Sequence, residues 1–519
     1  MPRGREAAHS RASVVAAIAV LAPAIALTGC SPAGIAGPSP ASEPDASSSA
    51  SAAPEPTPAP LPVPQVVPGP PRLGPDRTGA LVPRLAAMRT DTFAASARWA
   101  TPPGVTEFGE ALTARLEEAL LAYVGERGVG WQPGVDLVAG GAAEACWGGS
   151  LTTPIAASLT VDCSIVVASG PLLGERLSLA RREAGVAPSV VREVWYADAA
   201  TGAVFGGAGL YAAGQESRVL ALVAEGLRAG GRIEPGDDPF AGLGADAQRA
   251  LLADSAVTPA GVVITTASAA DAGRVASVHV PGRLLGPMLS EQGRTALAGA
   301  AAGGDYAPAD AVVGDDPVDC SFVPCVSITF DDGPSSLTPG LLDLLDRERA
   351  PATFFVQGSA VQTSPDVAAR IVASGHQIGN HTWRHPNLTK LEDDEVKKEI
   401  SRTQQAIANA TGAGATSMRP PYGASNAKVR DLVDLPVIVW DVDTRDWEDP
   451  GVDAVVDRAV TQSSRGSIVL MHDTHQETVD AVPAIIRGLR ERGFALSTVA
   501  GQFGGALPGP GTLVSRGPR

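Results

Sequence analysis

The sequence predicts an α/β protein, a distorted (β/α)7 barrel near the C-terminal end preceded by a smaller α+β domain. Three observations carry this. From Cys320 onward, short β-branched runs alternate with amphipathic helical patterns about seven times in about 180 residues, the rhythm of parallel strands covered by helices. Between about residues 78 and 300, strand and helix patterns are mixed without that alternation. Ahead of both, residues 31–77 are almost entirely Pro, Ala, Ser and Gly, too poor in apolar surface to order themselves. A chain of 519 residues has room for two domains and a linker. Its formal charge of -16 argues against nucleic acid as a partner, because a phosphate-reading surface needs clustered Lys and Arg.

Taken in order, the N-terminus carries Arg3, Arg5 and Arg11, then the apolar run "ASVVAAIAVLAPAIALTGC" ending at Cys30. A positive start, a short apolar stretch and small terminal residues predict a secretory leader over 1–30. The ending Leu27-Thr28-Gly29-Cys30 resembles a bacterial lipobox, which implies lipidation at Cys30 and an exported, membrane-anchored protein facing the cell wall. Plain secretion and an uncleaved anchor are the alternatives. The linker 31–77, in polyproline form, reaches on the order of 100 Å. The remaining cysteines, Cys146, Cys163, Cys320 and Cys325, are even in number, as expected of disulfides in an oxidising compartment. Proximity favours Cys146 with Cys163 and Cys320 with Cys325 among three pairings. A four-thiolate zinc site is the rival, without any C-x-x-C element to support it.

Within the accessory region 78–300, "GEALTARLEEALLAYVGERG" puts Leu112, Leu116, Leu120 and Val124 on one helical stripe. "SLTVDCSIVVASG" reads as a strand, and "VVREVWYADAATGAVFGGAGLYAA" as a hairpin turning at 199–202. The part from Asp238 to Leu297 is weakly similar to a small domain found beside the catalytic module of some cell-wall deacetylases and in some anti-sigma sensors. A Gly/Ala-rich linker spans 301–318. The segment 319–505 then offers strands at "VSITF", "ATFFV", "QIGNH", "TSMR", "VIVWD", "SIVLM" and "FALSTV". The helix "EDDEVKKEISRTQQAIANATG" presents Val396, Ile400, Thr403 and Ile407 on one face and stops at Gly412. Residues 506–519 read as a disordered tail.

In a parallel α/β barrel the working face is made by the loops after the strands. Asp331-Asp332 follow the first strand, His381 to His385 the third, Arg419 to Gly423 the fourth, Asp443 to Trp447 the fifth and His472-Asp473 the sixth. Five of the seven histidines, His376, His381, His385, His472 and His475, fall in this segment. His381 and His385 are spaced to aim two rings at one point, and with a carboxylate they make a site for a divalent metal with positions left open.

"TFDDGP", "HTWRH", "RPPYG", "DTRDW" and "LMHD", in this order, resemble the five motifs of the NodB-type polysaccharide deacetylases, the fourth carbohydrate-esterase family. "ATFFVQG", "GHQIGNHTW" and "GSIVLMHD" support the resemblance, which covers about residues 320–500. It implies that Asp331 is the general base, that Asp332, His381 and His385 bind the metal, usually Zn2+ with Co2+ or Mn2+ as substitutes, and that Arg419 pairs with Asp331. It further implies that the Tyr422 backbone N–H meets the oxyanion, that His472 protonates the leaving amine with Asp443 hydrogen-bonded to it, and that Trp447, Leu470 and Pro421 line the substrate slot. The corresponding activity is removal of N-acetyl groups from an envelope glycan, with peptidoglycan N-acetylglucosamine the nearest substrate. A chitooligosaccharide deacetylase and an O-acetyl xylan esterase are enzymatic alternatives. A wall-binding sensor with a vestigial deacetylase fold is the non-enzymatic one.

Overall fold

The computed structural model describes residues 63–518 apart from 79–80, 143, 148–154, 268–274 and 308–317. The leader 1–30, Cys30 and the linker up to residue 62 lie outside the described residues. Leu61–Arg519 is one compact unit. Order begins earlier than residue 78. Strand β1 (Gln65–Val67) pairs antiparallel with β10 (Val275–Pro281), Val66 opposite Val278. Pro64 and Pro68 bracket it, as suits an edge strand that needs few backbone donors.

The accessory region builds two sheets. One contains β2 (Val82–Arg89), β3 (Phe93–Thr101), β4 (Ala157–Ser169), β5 (Leu172–Glu183), β6 (Val186–Asp198) and β7 (Ala203–Gly206) in sequential order, antiparallel except for the β3–β4 pair. The other runs β1-β10-β9-β8, with β8 at Ser255–Thr258 and β9 at Gly261–Ala267. The expected hairpin turns between Asp198 and Ala203, where Gly202 takes φ 70°. Helix Thr106–Gly125 buries Leu112, Leu116, Leu120 and Val124 as its stripe predicts. It has no side-chain N-cap bond, a deficit of about 1 kcal/mol that four buried aliphatic side chains at roughly 1.5–3 kcal/mol each outweigh. Helix Glu291–Ala302 and the bridge from Tyr306 to Gly170 show that the first part of the expected linker belongs to this region. Both expected disulfides are formed, Cys146–Cys163 and Cys320–Cys325.

The C-terminal α/β part carries parallel strands β11 (Cys325–Asp331), β12 (Thr353–Val356), β13 (Gln377–Asn380), β14 (Val437–Ile438), β15 (Val442–Asp443), β16 (Ile468–His472), β17 (Ala495–Leu496) and β18 (Leu513–Val514). Five lie in one sheet in the order β13-β12-β11-β16-β15. "TSMR" is reduced to bridges from Met418 to Asn380 and to Val437. β17 pairs with β11 only at Cys325 and Val326.

The segment 506–518 is no disordered tail. β18 runs parallel to β14, and Arg516 bridges to Ser467 while its guanidinium meets Asp441 at 2.8 Å. The physical reason is an unfilled edge: "TLVS" supplies two strand-forming residues, and Val514 is buried against Ile438 and Ile468. Those pairings trace a circuit from β16 through β11, β12, β13, Met418, β14 and β18 back to Ser467.

The two parts share a core. Phe322, Val323, Cys325 and Ala495 are buried in the same cluster as Trp99, Leu112 and Leu116. Trp131 stacks on Phe322 at 5.4 Å and donates its indole N–H to the Phe322 carbonyl. Arg492 grips both oxygens of Asp136, and Gly141 lies so close to Glu491 that a Cβ would stand 2.1 Å from its carbonyl oxygen.

Candidate active site

β11 is buried along its whole length, with Ser327 and Thr329 alternating with apolar residues, so Asp331 ends a strand shielded from solvent. Asp331 stays in strand geometry, whereas Asp332 turns to φ 74°, and one oxygen of each approaches His381 Nε2, at 3.7 Å and 3.5 Å. Asp331 Oδ1 accepts from Arg419 Nη1 at 2.8 Å. Arg419 is fully buried, donates also to Thr329 Oγ1 at 2.7 Å, and stacks over Phe355 at 4.1 Å. In a pair this dry, removing one partner strands the other at a cost of about 3–5 kcal/mol.

Asp332 faces the histidines. Its Oδ1 lies 3.5 Å from His381 Nε2 and 3.5 Å from His385 Nε2, and the three candidate ligand atoms sit within 4.8 Å of one another. His381 follows β13 and donates Nδ1–H to the Arg419 carbonyl at 2.7 Å, which turns Nε2 toward the cluster. The turn to His385 is forced through left-handed backbone at Thr382 and His385, φ 68° and 63°. Glu399 fixes that turn by accepting from the N–H groups of Trp383 and Arg384. Burial opposes the Asp332 charge, but the two histidines and the Gln357 amide hold its carboxyl below the usual range. Burial also lowers the His385 imidazole against the pull of Asp332, favouring the neutral, ligating form. Two imidazoles and a carboxylate with converging ligand atoms fit a divalent cation.

Across the rim, His472 ends β16. Asp446 accepts both its backbone N–H, at 2.7 Å, and its ring Nδ1–H, at 2.9 Å, and takes a third bond from Thr478. Burial alone would lower His472; the Asp446 bond and charge, with Asp331 and Asp332 behind, push it up to about 9. The family resemblance implies Asp443 as this partner; the structure places Asp446 there instead. Asp443 ends β15 and spends Oδ1 on the Arg445 N–H at 2.8 Å. Arg445 then takes φ 53°, a left-handed step that swings the chain so that Asp446, three residues on, lies buried beneath His472. Both acids stand in "DTRDW"; the αL residue between them is the signal that spacing alone did not reveal.

Leu470 is buried, whereas Trp447 is 52% exposed. Pro421 is buried under the turn that carries Tyr422 at φ 62°. The Tyr422 side chain is 68% exposed with its ring edge-on to His385 at 4.6 Å. Gly423 and Ala424 spend their N–H groups on Pro420 and Pro421, within the turn. His376 is buried and driven down to about 4 by burial, and His475 pairs with Asp449; neither reaches the cluster. The other group of candidate ligands, Cys146, Cys163 and Glu175, has both sulfurs in a disulfide.

The family model for polysaccharide deacetylases matches residues 321–435. A chitooligosaccharide deacetylase of Rhizobium leguminosarum bv. trifolii is 38% identical over 192 residues, 34% of this chain and 89% of that protein. The chain belongs to the polysaccharide deacetylase family. A peptidoglycan-N-acetylglucosamine deacetylase of Listeria monocytogenes is 43% identical over 183 residues, 35% of this chain, and the match spans 39% of the Listeria protein. Among solved structures, a family 4 carbohydrate esterase from Streptomyces lividans in complex with acetate aligns at 37% identity and TM-score 0.34, over 36% of this chain and 97% of that one. The family membership thus rests on the C-terminal part, and the accessory sheets lie outside it.

Proposed function

We propose that this chain is a divalent-metal-dependent hydrolase that removes N-acetyl groups from an amino-sugar polysaccharide of the cell envelope. One observation carries the reading: a buried Asp331–Arg419 pair, the Asp332–His381–His385 cluster and the His472–Asp446 pair converge on one rim. Asp332, His381 and His385 would hold the cation, which when bound supplies Lewis acidity toward water and the acetyl carbonyl. Asp331 Oδ2, 3.7 Å from His381 Nε2 and free of the Arg419 bond, is aimed into the cluster and takes the proton of the attacking water. Arg419 holds that carboxylate in place through its other oxygen. The Tyr422 backbone N–H offers a donor to the oxygen on which negative charge develops. Across the site, His472, an imidazolium at neutral pH, gives its Nε2 proton to the departing nitrogen while Asp446 holds the ring. The C–N bond breaks, and acetate and a free amine result.

Peptidoglycan N-acetylglucosamine is the proposed substrate. The named activity of the Listeria relative supports it, as does the leader with its Cys30 ending, which would tether the enzyme by lipid to the membrane facing the wall. Acetate release from glycan strands, lost with a chelator, tests the activity, and fragment masses identify the sugar. Asp331→Asn is expected to keep about one metal per chain yet lose about 10²–10⁴-fold in kcat. Asp332→Asn is expected to lose metal affinity first, with activity partly restored by excess metal. Equal metal loss in both variants overturns the division of roles.

A further inference from the structure

The two loops that carry the candidate ligands both leave strands paired with β12, and the short turn that follows β12 holds both. At 357–359, the Gln357 N–H donates to the Gly333 carbonyl at 3.0 Å, the Gly358 N–H to Thr382 at 2.9 Å and the Ser359 N–H to Trp383 at 3.2 Å. The first bond fixes the loop after Asp332, and the other two fix the loop between His381 and His385. The Gln357 side chain adds a fourth, from Nε2 to Asp332 Oδ1 at 2.8 Å. That oxygen is the one lying 3.5 Å from both histidine nitrogens. Gly358 is required where it stands, since a Cβ there would meet the Trp383 ring at 2.4 Å and Thr403 Oγ1 at 2.6 Å.

We infer that Gln357 is a positioning residue for the metal centre: its amide donates to the Asp332 oxygen that faces the two imidazoles and so fixes the spacing of the three ligands before a cation arrives. The inference rests on the metal-site reading above. A carboxylate oxygen has two in-plane lone pairs. With one given to Gln357, the carboxyl cannot rotate without breaking a bond in a half-buried place, and the other lone pair stays aimed at the histidines. The left-handed backbone of Asp332, Thr382 and His385 fits the same picture, since three residues in sparsely populated conformations need neighbours that hold them there.

The test is zinc affinity, measured on the full chain by competition with a chromophoric chelator, for the parent, Gln357→Met and Gln357→Leu. Methionine keeps the length and packing of the side chain and cannot donate. The expected result is a zinc dissociation constant weakened about 10–100-fold in both variants, with kcat at saturating zinc close to the parent's and an unchanged melting temperature for the metal-free protein. A methionine variant that binds zinc as tightly as the parent overturns the inference. So does one whose kcat at saturating zinc falls while its affinity holds, which would place Gln357 against substrate instead. If the leucine variant fails to fold, the methionine variant decides alone. A parent chain that binds no zinc overturns the metal-site reading and this inference with it, whereas a zinc-binding parent matched by the methionine variant overturns this inference only.

Discussion

His472 shows how a single neighbour sets the chemistry of a residue. Asp446 accepts both its N–H groups and holds the imidazole up to about 9, so the acid form persists below that pH and is lost above it. Asp446→Asn is therefore expected to bring the alkaline limb of the kcat profile down by about one to three pH units, while Asp443→Asn, which only frees the Arg445 N–H, leaves it in place; rate–pH profiles of the two variants check this. A second buried acid titrates far from the site. Glu175 is fully buried in the accessory core, accepts from the Ala100 N–H at 3.2 Å, and burial pushes its carboxyl up to about 8. Its folded pKa lies above its unfolded value, so the folded state binds the extra proton between about pH 4.3 and 8, and stability falls as pH rises through that window. Glu175→Gln is expected to flatten this fall, read from denaturant midpoints at pH 5 and pH 8.5. At this scale the sequence was legible for residues named by strict neighbours: Asp331, Asp332, His381, His385, Arg419 and His472 all meet on one rim. It was silent about Asp446 because two carboxylates three apart compete, and only a backbone step at Arg445 decides between them. Gln357 went unseen for a related reason, as an amide beside a glycine looks like any loop residue.

Elements with a long internal period were readable, and those defined by their partners were not. The stripe of Thr106–Gly125 and the capping box and Gly412 stop of Asp393–Thr411 are local signals that tertiary packing reinforces. The strands β11, β12 and β16 announce themselves by β-branched and aromatic residues. "TSMR" and "FALSTV" carry similar composition, yet Met418 only bridges Asn380 and Val437, and β17 meets β11 only at Cys325 and Val326, ahead of the stretch that β11 gives to β16 and β12. The Cys320–Cys325 disulfide closes a short loop just ahead of β11. By loop entropy it constrains the unfolded chain by about 2 kcal/mol, so the double Cys320→Ala, Cys325→Ala variant is expected to lose about that much stability while keeping its metal affinity. Chemical denaturation and zinc titration together check the separation.

The whole described chain behaves as one packed body instead of beads on a string. Trp131 on Phe322, Arg492 on Asp136 and the close approach of Gly141 to Glu491 join the accessory region to the C-terminal α/β part through apolar contact, charge and backbone. The expected consequence is a single cooperative unfolding transition for residues 63–519. A fragment beginning at 319, stripped of the surface that covers Phe322 and Val323, is expected to melt lower and to aggregate on heating; calorimetry of the two, side by side, is the check. The placement of β18 adds a constraint of order in time. On the ribosome every residue of the candidate site is made before Leu513 and Val514, so the edge at Val437 and Ile438 stays open until translation has passed the last chemical group. A nascent chain stalled or clipped just short of that point would carry a complete set of functional side chains on an unsealed sheet, exposed to strand pairing with other chains.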